Sequence, residues 1–449
     1  MAKRRAAGSA QPADLTLSTA IQLAHAAAHY AARLRPKNRR FPPLPARQTE
    51  PGISVVIPSR SGRELLAAQL PGLVSDLPQA AEVLVVDNGS DDETDEWLRS
   101  SWPHVRVEIS SEPLSFARAV NRGLEAARFS HICLLNNDML LDPGFFQALW
   151  EAFQKVPDLF CATAQIRFPP GVRREETGKA VMAQAAPEDF PLRCDEPVAG
   201  EDLTYVLYGS GGCSLYDAAK LRTLGGIDIA YEPAYVEDLD IGYRAWQCGW
   251  PSVYVANAQV EHRHRATTSR FYSREQLDYI LEVNYLKFLA RSVAAPQTFQ
   301  RLWDQAIDRL RRRAPKDHAA ARALRRAAGL ALSGGPLMTP EILEDSVLKL
   351  TNGTVWIFPG CGSRGKPKAV FTAPSLSSCL ERIRRESVDT DPILLSWTDQ
   401  PGPPPPALQE VCLEVVLVRQ GERLSFQAAL DQTIRKWKPE RVDDFNPDG

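Results

Sequence analysis

Three short apolar runs, each followed by polar residues, are the feature that most constrains the fold of this chain. The runs span residues 53–57, 83–86 and 131–135. Helical patterns separate them, and continuous apolar strands that alternate with helices indicate a parallel sheet covered on both faces. Ligands of such sheets bind beyond the carboxyl ends of the strands, so the polar residues after each run form the candidate site.

The amino-acid composition argues against several classes of protein. The 449 residues include 53 basic and 55 acidic ones, which argues against a strongly basic nucleic-acid binder, and we expect no nucleic-acid partner. No apolar run approaches the roughly 18 residues that a membrane span requires. Eight cysteines without a CxxC pair, and an N-terminus without the apolar core of a signal peptide, predict a cytoplasmic protein with free thiols.

Seven motifs occur in a fixed order along the central part of the chain. They are SVVIPSR, VLVVDNGSDDET, FARAVNRGLEAA, ICLLNNDMLLDP, YGSGGCSLY, LGGIDIAYEPAYVEDLDIGYRAWQCGW and VEHRHRATTS. Taken together they resemble the family-2 glycosyltransferases over about residues 51–290, and within that family the rhamnosyltransferase-like subgroup. The resemblance implies an α/β fold of the GT-A type, which is a nucleotide-diphospho-sugar transferase fold with a Rossmann-like mixed sheet.

With this resemblance, the chain is predicted to divide into four parts. They are an N-terminal helical arm (1–48), a GT-A domain (49–292), a basic helical linker (293–345) and a small C-terminal α/β domain of unknown role (346–449). A helix is predicted over 15–34, and the basic, proline-containing segment after it, 35–43, is interpreted as a solvated lead-in, with an anchor to anionic lipid head groups as the alternative. Segment 301–326 holds nine basic and three acidic residues, which suits either a membrane-surface helix or a solvated linker helix.

The resemblance implies that the donor nucleotide binds at the strand ends. Asp87 would accept a hydrogen bond from the pyrimidine ring, because the ring N–H of uracil or thymine is a donor; an Asx turn is the structural alternative. Arg118 and Asn121 would contact phosphate or ribose, or form the polar face of an ordinary helix. The remaining nucleotide candidates are Pro58, Ser59, Arg60, Asn136 and Asn137.

The segment Asn136-Asn137-Asp138 stands where the family usually carries a D-x-D metal motif. A diphosphate leaving group is stabilised by a hard divalent ion with oxygen ligands, and here only Asp138 supplies a charge. The resemblance implies that His262 completes the site. His264 is an alternative because both side chains of an extended segment point the same way, and contact of both with phosphate is a third interpretation. We expect Mg²⁺ or Mn²⁺.

Three acidic residues, Glu237, Asp238 and Asp240, open a predicted helix. Inverting sugar transfer requires a base that takes the proton of the acceptor hydroxyl, and a carboxylate near a helix N-terminus stays ionised. By resemblance Asp238 is this base, and Glu237 positions the acceptor or the base. Charge complementarity with the helix N-terminus is the structural alternative, and we prefer it for Asp240.

Glycine-containing segments supply the predicted acceptor side. Gly211 and Gly212 would permit close approach of the backbone, and Asp228 would begin a mobile loop over 228–235 that leads to the acids. In the C-terminal part, residues 360–367 (GCGSRGKP) imitate a phosphate-binding loop. Pro367 replaces the hydroxyl residue that should follow the lysine, so we interpret this segment as a glycine-rich turn.

These patterns predict a metal-dependent, inverting glycosyltransferase of cell-wall or polysaccharide biosynthesis. It would move a sugar from a UDP- or dTDP-sugar to an acceptor hydroxyl of a cell-surface glycan or lipid-linked glycan. The first candidate for the donor is dTDP-rhamnose. Peripheral contact with the inner face of the cell membrane is part of this hypothesis. A sugar nucleotidyltransferase would need further carboxylates near Asp138. A non-catalytic scaffold of the same fold is suggested by Asn136 and opposed by the intact acid pair.

Overall fold

The structure is a computed structural model, and it describes most of the chain. The described residues are 16–34, 43–168, 179–181, 189–195, 197, 201–263, 271–333, 344–400 and 402–445. Two large β-sheets and a set of packed helices organise these residues.

The first sheet has nine strands. They are β1 (Glu50–Ser59), β2 (Ala81–Asn88), β3 (Arg106–Ser110), β4 (Phe129–Leu135), β5 (Met139–Leu141), β6 (Cys161–Arg167), β9 (Thr204–Val206), β10 (Cys213–Asp217) and β11 (Ser252–His262); β7 (Lys179–Val181) and β8 (Arg193–Asp195) pair separately. The order is β3-β2-β1-β4-β10-β6-β11-β5, with β9 on β11. The first four strands are parallel and β10 runs antiparallel to both neighbours, so the predicted α/β class with a mixed sheet is confirmed.

Helices cover both faces of this sheet. They are α2 (Arg63–Asp76), α3 (Thr94–Ser101), α4 (Phe116–Ala126), α5 (Phe145–Lys155), α6 (Ala218–Thr223) and α7 (Glu237–Gln247), with a 3₁₀ turn at Ile229–Tyr231. Successive residues of β1 enter opposite hydrophobic cores: Val55 and Ile57 pack in one core, and Val56 packs in the other. A strand buried on both faces explains the continuous apolar run in the sequence.

The N-terminal helix α1 (Leu17–Arg33) is part of a helical bundle. It packs against α9 (Pro296–Arg313) and α10 (His318–Ser333), which follow α8 (Arg274–Ser292). The Trp303 indole N–H donates to the carbonyl of Ala24 over 3.2 Å, and His25 Nδ1 lies 2.7 Å from Asp304 Oδ1. The helical part of the arm is therefore packed in the bundle, where its alanines face a helix that is also rich in alanine. Residues 35–42, which make up most of the predicted solvated lead-in, lie outside the described residues.

Several arginines of the basic segment are used inside the bundle. Arg309 and Arg313 both pair with the buried Glu282 of α8, and Arg313 also pairs with Asp317. The segment is thus part of the folded core and not a solvated linker. Within the described residues, no helix has the combined length and apolar content needed to cross a bilayer.

The second sheet belongs to the C-terminal part. Its strands are β12 (Val355–Pro359), β13 (Lys368–Ala373), β14 (Asp391–Thr398), β15 (Glu414–Arg419) and β16 (Arg441–Asp444), in the order β12-β15-β14-β13-β16; its helices are α11 (Glu344–Leu350), α12 (Leu380–Glu386), α13 (Pro406–Gln409) and α14 (Arg423–Trp437). The apolar runs at 355–358, 369–372, 393–397 and 414–418 predict the first four of these strands, and the structure contains all four. Strand β16 is not predicted from the sequence. Val355 and Ile357 extend the hydrophobic core of the first sheet, and Thr204 Oγ1 donates to the carbonyl of Ile357 over 3.2 Å.

The glycine-rich segment after β12 folds around an internal carboxylate. Asp391, whose side chain is fully buried, accepts hydrogen bonds from the Ser363 hydroxyl, the Arg364 backbone and side chain, and the Lys366 backbone. The Lys366 ammonium donates to the carbonyls of Ser387 and Val388 beyond α12. The amides that a phosphate-binding loop would offer to a ligand are therefore directed at Asp391, in agreement with the interpretation as a structural turn.

We expect that Asp391→Asn destabilises the protein by about 3 kcal/mol, because it removes the buried partner of Arg364. Burial opposes ionisation of Asp391, but hydrogen bonds from Ser363 and Arg364 hold its pKa below the usual range. Its contribution is therefore present above the unfolded-state pKa and is lost as pH falls through the folded-state pKa. Urea unfolding at neutral pH measures the loss. The exposed Asp389→Asn is the matched control, and equal unfolding midpoints for the two variants would contradict this role.

Candidate active site

The ends of β1, β2 and β4 are joined by direct hydrogen bonds. Asn137 Nδ2 donates to Ser59 Oγ over 2.9 Å, which links β4 to β1. The Ser61 N–H donates to Ser90 Oγ over 2.8 Å, and the Ser90 N–H donates to Asp87 Oδ1 over 3.3 Å, which links β1 to β2. The polar residues after the three apolar runs thus form one connected edge, as the parallel sheet predicts.

Asp87 is buried at the end of β2, where 4% of its surface is exposed. Burial raises the pKa of its carboxyl group, and the hydrogen bonds from Ser90 partly offset this. Its Oδ1 accepts from the N–H of Ser90, three residues on, whereas the Asx turn considered from the sequence would use the N–H two residues on. Both amide atoms of the neighbouring Asn88 bond to the backbone of Leu114, which fixes the segment between β3 and α4.

Three predicted nucleotide contacts have protein partners of their own. The Arg60 guanidinium lies 3.8 Å from the ring centroid of Phe271, and Arg118 pairs with Glu232. The Asn121 amide bonds to the backbone N–H and carbonyl of Ile227 over 2.9 and 2.8 Å. Arg118 and Asn121 therefore attach α4 to segment 227–232, and contact of either with a nucleotide stays a prediction.

A residue that the sequence analysis missed supports the turn after β4. Gln69 is buried on α2 between Leu66 and Leu70, and its Nε2 donates to the carbonyls of Asn136 (2.6 Å) and Met139 (2.8 Å). Both bonds bracket Asp138, so Gln69 fixes the backbone that presents this carboxylate. In the sequence, Gln69 could have been noticed as a polar residue among the apolar positions of one helix face.

Asp138 and His262 come together although 124 positions separate them. Strand β11 pairs with β5 so that His262 lies opposite Met139, and His262 Nε2 lies 3.4 Å from Asp138 Oδ1. Both side chains are nearly buried, and no hydrogen-bond donor among the described residues satisfies Oδ1 of Asp138. An orphaned carboxylate oxygen beside an imidazole nitrogen fits a divalent ion. His264 lies outside the described residues.

The metal motif also touches the predicted acceptor side. The Asn136 N–H donates to the carbonyl of Gly212 over 2.8 Å, and a Cβ at Gly212 would overlap the Asn136 amide. The Gly211 N–H lies 3.4 Å from Asp238 Oδ2. The glycine at position 212 therefore lets the backbone lie against Asn136, whereas a Cβ at Gly211 would make only ordinary van der Waals contact with Asp238.

The two acidic residues at the start of α7 lie in different environments. Glu237 is buried and its Oε2 finds no donor within the described chain, whereas Asp238 is half-buried and accepts from the N–H of Leu239 and of Gly211. Burial, and then the charge of Asp238, raise the pKa of Glu237 to about 8. At neutral pH Glu237 is therefore mostly protonated.

Asp240 has a structural role. It is fully buried and pairs with Arg244 over 2.8 Å, and it accepts from the hydroxyls of Tyr231 and Ser292. Arg244 in turn donates to the carbonyls of Leu224 and Gly226. The preferred interpretation of Asp240 as structural agrees with these contacts, which add a buried ion pair to its place in the first turn of the helix.

The segment before the acids is anchored, contrary to the expectation of a mobile loop over 228–235. Asp228 pairs with Arg291 over 2.6 Å and caps the 3₁₀ turn. The Asn284 amide donates to the carbonyls of Tyr231, Ala234 and Tyr235. This anchoring holds Tyr235 and Val236, which both have a positive φ, directly before Glu237.

Comparisons with known proteins identify the family of this chain. The family described as Glycosyltransferase like family 2 matches residues 51–277, just over half of the chain. An N-acetylglucosaminyl-diphospho-decaprenol L-rhamnosyltransferase of Mycobacterium tuberculosis is 28% identical over 210 residues, which cover 42% of this chain and 68% of the relative. A validoxylamine A glucosyltransferase of Streptomyces hygroscopicus subsp. limoneus is 26% identical over 267 residues, or 53% of this chain and 58% of the relative.

Solved structures overlap this chain in part. A mannosyltransferase from Pyrobaculum calidifontis in complex with GDP-Man and Mn²⁺ has a TM-score of 0.42 and 20% identity, and the match covers 70% of this chain and 86% of that one. S. aureus TarS in complex with UDP-GlcNAc has a TM-score of 0.45 and 13% identity over 63% and 88% of the two chains. The family match contains β1, β2, β4, α7 and β11, which carry the site, and the chain is therefore a member of glycosyltransferase family 2.

Proposed function

We propose that this chain is a metal-dependent, inverting glycosyltransferase that uses a UDP- or dTDP-sugar. The observation that carries the proposal is a set of contacts around the segment 136–138. Asn137 bonds to Ser59, Asp138 lies beside His262, and Asn136 is joined to Asp238 through Gly212 and Gly211. The donor nucleotide binds beyond β1 and β2, where Ser59 and Asp87 lie. In this arrangement a nucleotide, a diphosphate and an acceptor hydroxyl would lie next to one another.

Asp138 and His262 are the residues that would hold the divalent ion. When bound, the ion neutralises the charge that develops on the leaving diphosphate. Two protein ligands suit an ion that is also bound by substrate phosphates and water. Among the described residues no group of three or more His, Cys, Asp or Glu side chains is arranged for a metal, so the further carboxylates that a nucleotidyltransferase needs are not found there.

Asp238 is the proposed base. Its carboxylate stands at the N-terminus of α7, which favours the ionised form, and it is more exposed than Glu237. It takes the proton of the acceptor hydroxyl as the oxygen attacks the anomeric carbon. Glu237 is protonated at neutral pH, so it does not compete for this proton, and it positions Asp238 or the acceptor through its free carboxyl oxygen.

The substrate classes rest on the relatives. The name of the mycobacterial relative describes rhamnose transfer to a diphospho-decaprenol lipid carrying N-acetylglucosamine. For this chain we propose dTDP-rhamnose as the first donor and a lipid-linked or cell-surface glycan as the acceptor. An acceptor of this kind is embedded in a membrane, which brings the enzyme to the inner face of the cell membrane as a peripheral protein.

A thermal-shift screen of nucleotide sugars, with and without Mn²⁺, tests the donor and the metal together. We expect dTDP-rhamnose or a UDP-sugar to raise the melting temperature, because a ligand that binds the folded state stabilises it. The shift should be larger with Mn²⁺ and should shrink in Asp138→Asn. A full set of pyrimidine nucleotide sugars without any shift would overturn the donor assignment.

Asp238→Asn should abolish sugar transfer and leave nucleotide binding and stability nearly unchanged, because it removes a base from a half-buried position. Asp240→Asn should instead lower the free energy of unfolding by about 3 kcal/mol, because it leaves Arg244 buried without its partner. Transfer assays and urea unfolding of both variants separate the two roles. Normal turnover in Asp238→Asn would refute the base assignment.

Glu237→Gln should change the pH dependence of stability. The pKa of Glu237 lies near 8 in the folded state and near its ordinary value when unfolded, so the folded protein binds one extra proton between these values. Its stability therefore falls as pH rises through this window, and the neutral glutamine removes the fall. We expect the melting temperature of the variant to exceed that of the wild type progressively from pH 5 to pH 8. Parallel curves would contradict a protonated Glu237.

A further inference from the structure

An arginine and a phenylalanine that are far apart in the sequence meet at the carboxyl end of β1. Arg60 follows the last residue of this strand, and its guanidinium carbon lies 3.8 Å from the ring centroid of Phe271. Phe271 keeps 37% of its surface exposed and belongs to neither hydrophobic core of the first sheet. The distance is that of a cation–π contact, which therefore attaches the segment before α8 to the end of β1.

Arg60 stands between two residues of the candidate active site. Ser59 accepts a hydrogen bond from the Asn137 amide over 2.9 Å, and the Ser61 N–H donates to Ser90 Oγ over 2.8 Å. The backbone on the two sides of Arg60 is thus fixed to the segments that follow β4 and β2. The side chain therefore starts from a turn that touches both the metal motif and the predicted nucleotide side.

Contacts on both sides of Phe271 fix its place in the chain. Before it, β11 ends and the Arg263 N–H donates to the carbonyl of Asp138 over 2.9 Å. After it, Ser273 and Gln276 form a capping box that begins α8, with bonds of 2.8 and 3.3 Å. The chain is therefore at the metal motif at Arg263 and at the end of β1 at Phe271.

The contact with the ring leaves the hydrogen-bonding capacity of Arg60 unused. A ring covers a face of the planar guanidinium, whereas the N–H groups extend within the plane. Within the described part of the chain, Arg60 has neither an ion-pair partner nor a hydrogen-bond acceptor, whereas Arg118 pairs with Glu232. A hydrogen bond from Ser61 holds the pKa of the exposed Asp91 below its ordinary value, and the nearby charge of Arg60 adds to this effect.

We infer that Phe271 is a positioning residue of the donor site, which holds the Arg60 guanidinium where its N–H groups bind the diphosphate of the nucleotide sugar. The inference deepens the proposed function and rests on it. Charge favours the diphosphate over the uncharged base, because cationic N–H donors form strong hydrogen bonds with phosphate oxygens. A divalent ion beside the single carboxylate of Asp138 leaves one positive charge, and Arg60 adds a second to match the two negative charges of the diphosphate.

Phe271 would act by preorganising Arg60. A free arginine side chain populates many rotamers, and ordering it when a ligand binds costs free energy. Contact with the ring restricts Arg60 before the donor arrives. Loss of the ring should therefore weaken nucleotide binding although no group that touches the nucleotide is removed, and this effect should require Arg60.

Calorimetric titration of the full chain with UDP and dTDP, at a fixed Mn²⁺ concentration, tests the inference. Arg60→Gln should weaken binding about tenfold, because a charge-assisted hydrogen bond is lost. Phe271→Leu should weaken it about threefold, the size of an exposed cation–π contact, and Phe271→Tyr should restore wild-type affinity because it keeps the ring. The double variant should bind no more weakly than Arg60→Gln alone, because Phe271 acts through Arg60. Uridine, which has no phosphate, should bind all of these proteins equally.

Arg382→Gln is the matched control, because its guanidinium lies over the ring of Phe445 at 4.0 Å in the C-terminal part and should not affect nucleotide binding. Melting temperatures show whether each variant folds. Wild-type affinity for both nucleotides in folded Phe271→Leu would overturn the inference. Losses that multiply in the double variant would do the same, and so would an equal loss of uridine binding. If the wild type binds neither UDP nor dTDP, the proposed donor class fails and the inference with it.

Discussion

The arrangement of the acid pair depends on the buried ion pair between Asp240 and Arg244. It fixes the first turn of α7 against the segment at Leu224 and Gly226, and through Ser292 it reaches α8. Two consecutive residues with positive φ, Tyr235 and Val236, cost free energy and persist because Asn284 holds the carbonyls around them. The position of Asp238, the proposed base, is thus set by contacts within the protein and not by contacts with a substrate.

At the metal motif, too, the protein fixes the backbone and leaves a functional side-chain oxygen for a ligand. Gln69 binds the carbonyls on both sides of Asp138, while Oδ1 of its carboxylate stays without a donor among the described residues. Backbone groups are satisfied by the protein, and the functional oxygen is left for a ligand. The same pattern occurs at Glu237, whose Oε2 is buried and unpaired within the described chain. Both free oxygens belong to residues that the sequence had assigned to chemistry.

Much of the fold and of the site could be predicted from the sequence. A strand buried on both faces appears as a continuous apolar run, and the polar residues that follow it mark the edge of the sheet where ligands bind. Asp87 and Asn137 were found in this way, and the resemblance supplied the pairing of Asp138 with His262. Gln69 was missed because a polar residue in an apolar stripe indicates burial without indicating its partner. The packing of α1 was not predicted, because the partner of its alanine face is distant in the sequence: the bond from Trp303 to Ala24 joins positions 279 residues apart.

The internal carboxylate of Asp391 has a consequence for how the C-terminal glycine-rich turn meets solutes. A group held on the same chain competes with a free anion as if it were present at very high local concentration, because it loses little translational freedom on binding. Inorganic phosphate or a nucleotide at cellular levels would have to displace this tethered competitor and leave Asp391 buried and unpaired. Asp391 thus occupies the place where an anion would bind to this turn. The hydrogen-bond donors that a nucleotide site would offer to phosphate instead hold β12, β14 and α12 together.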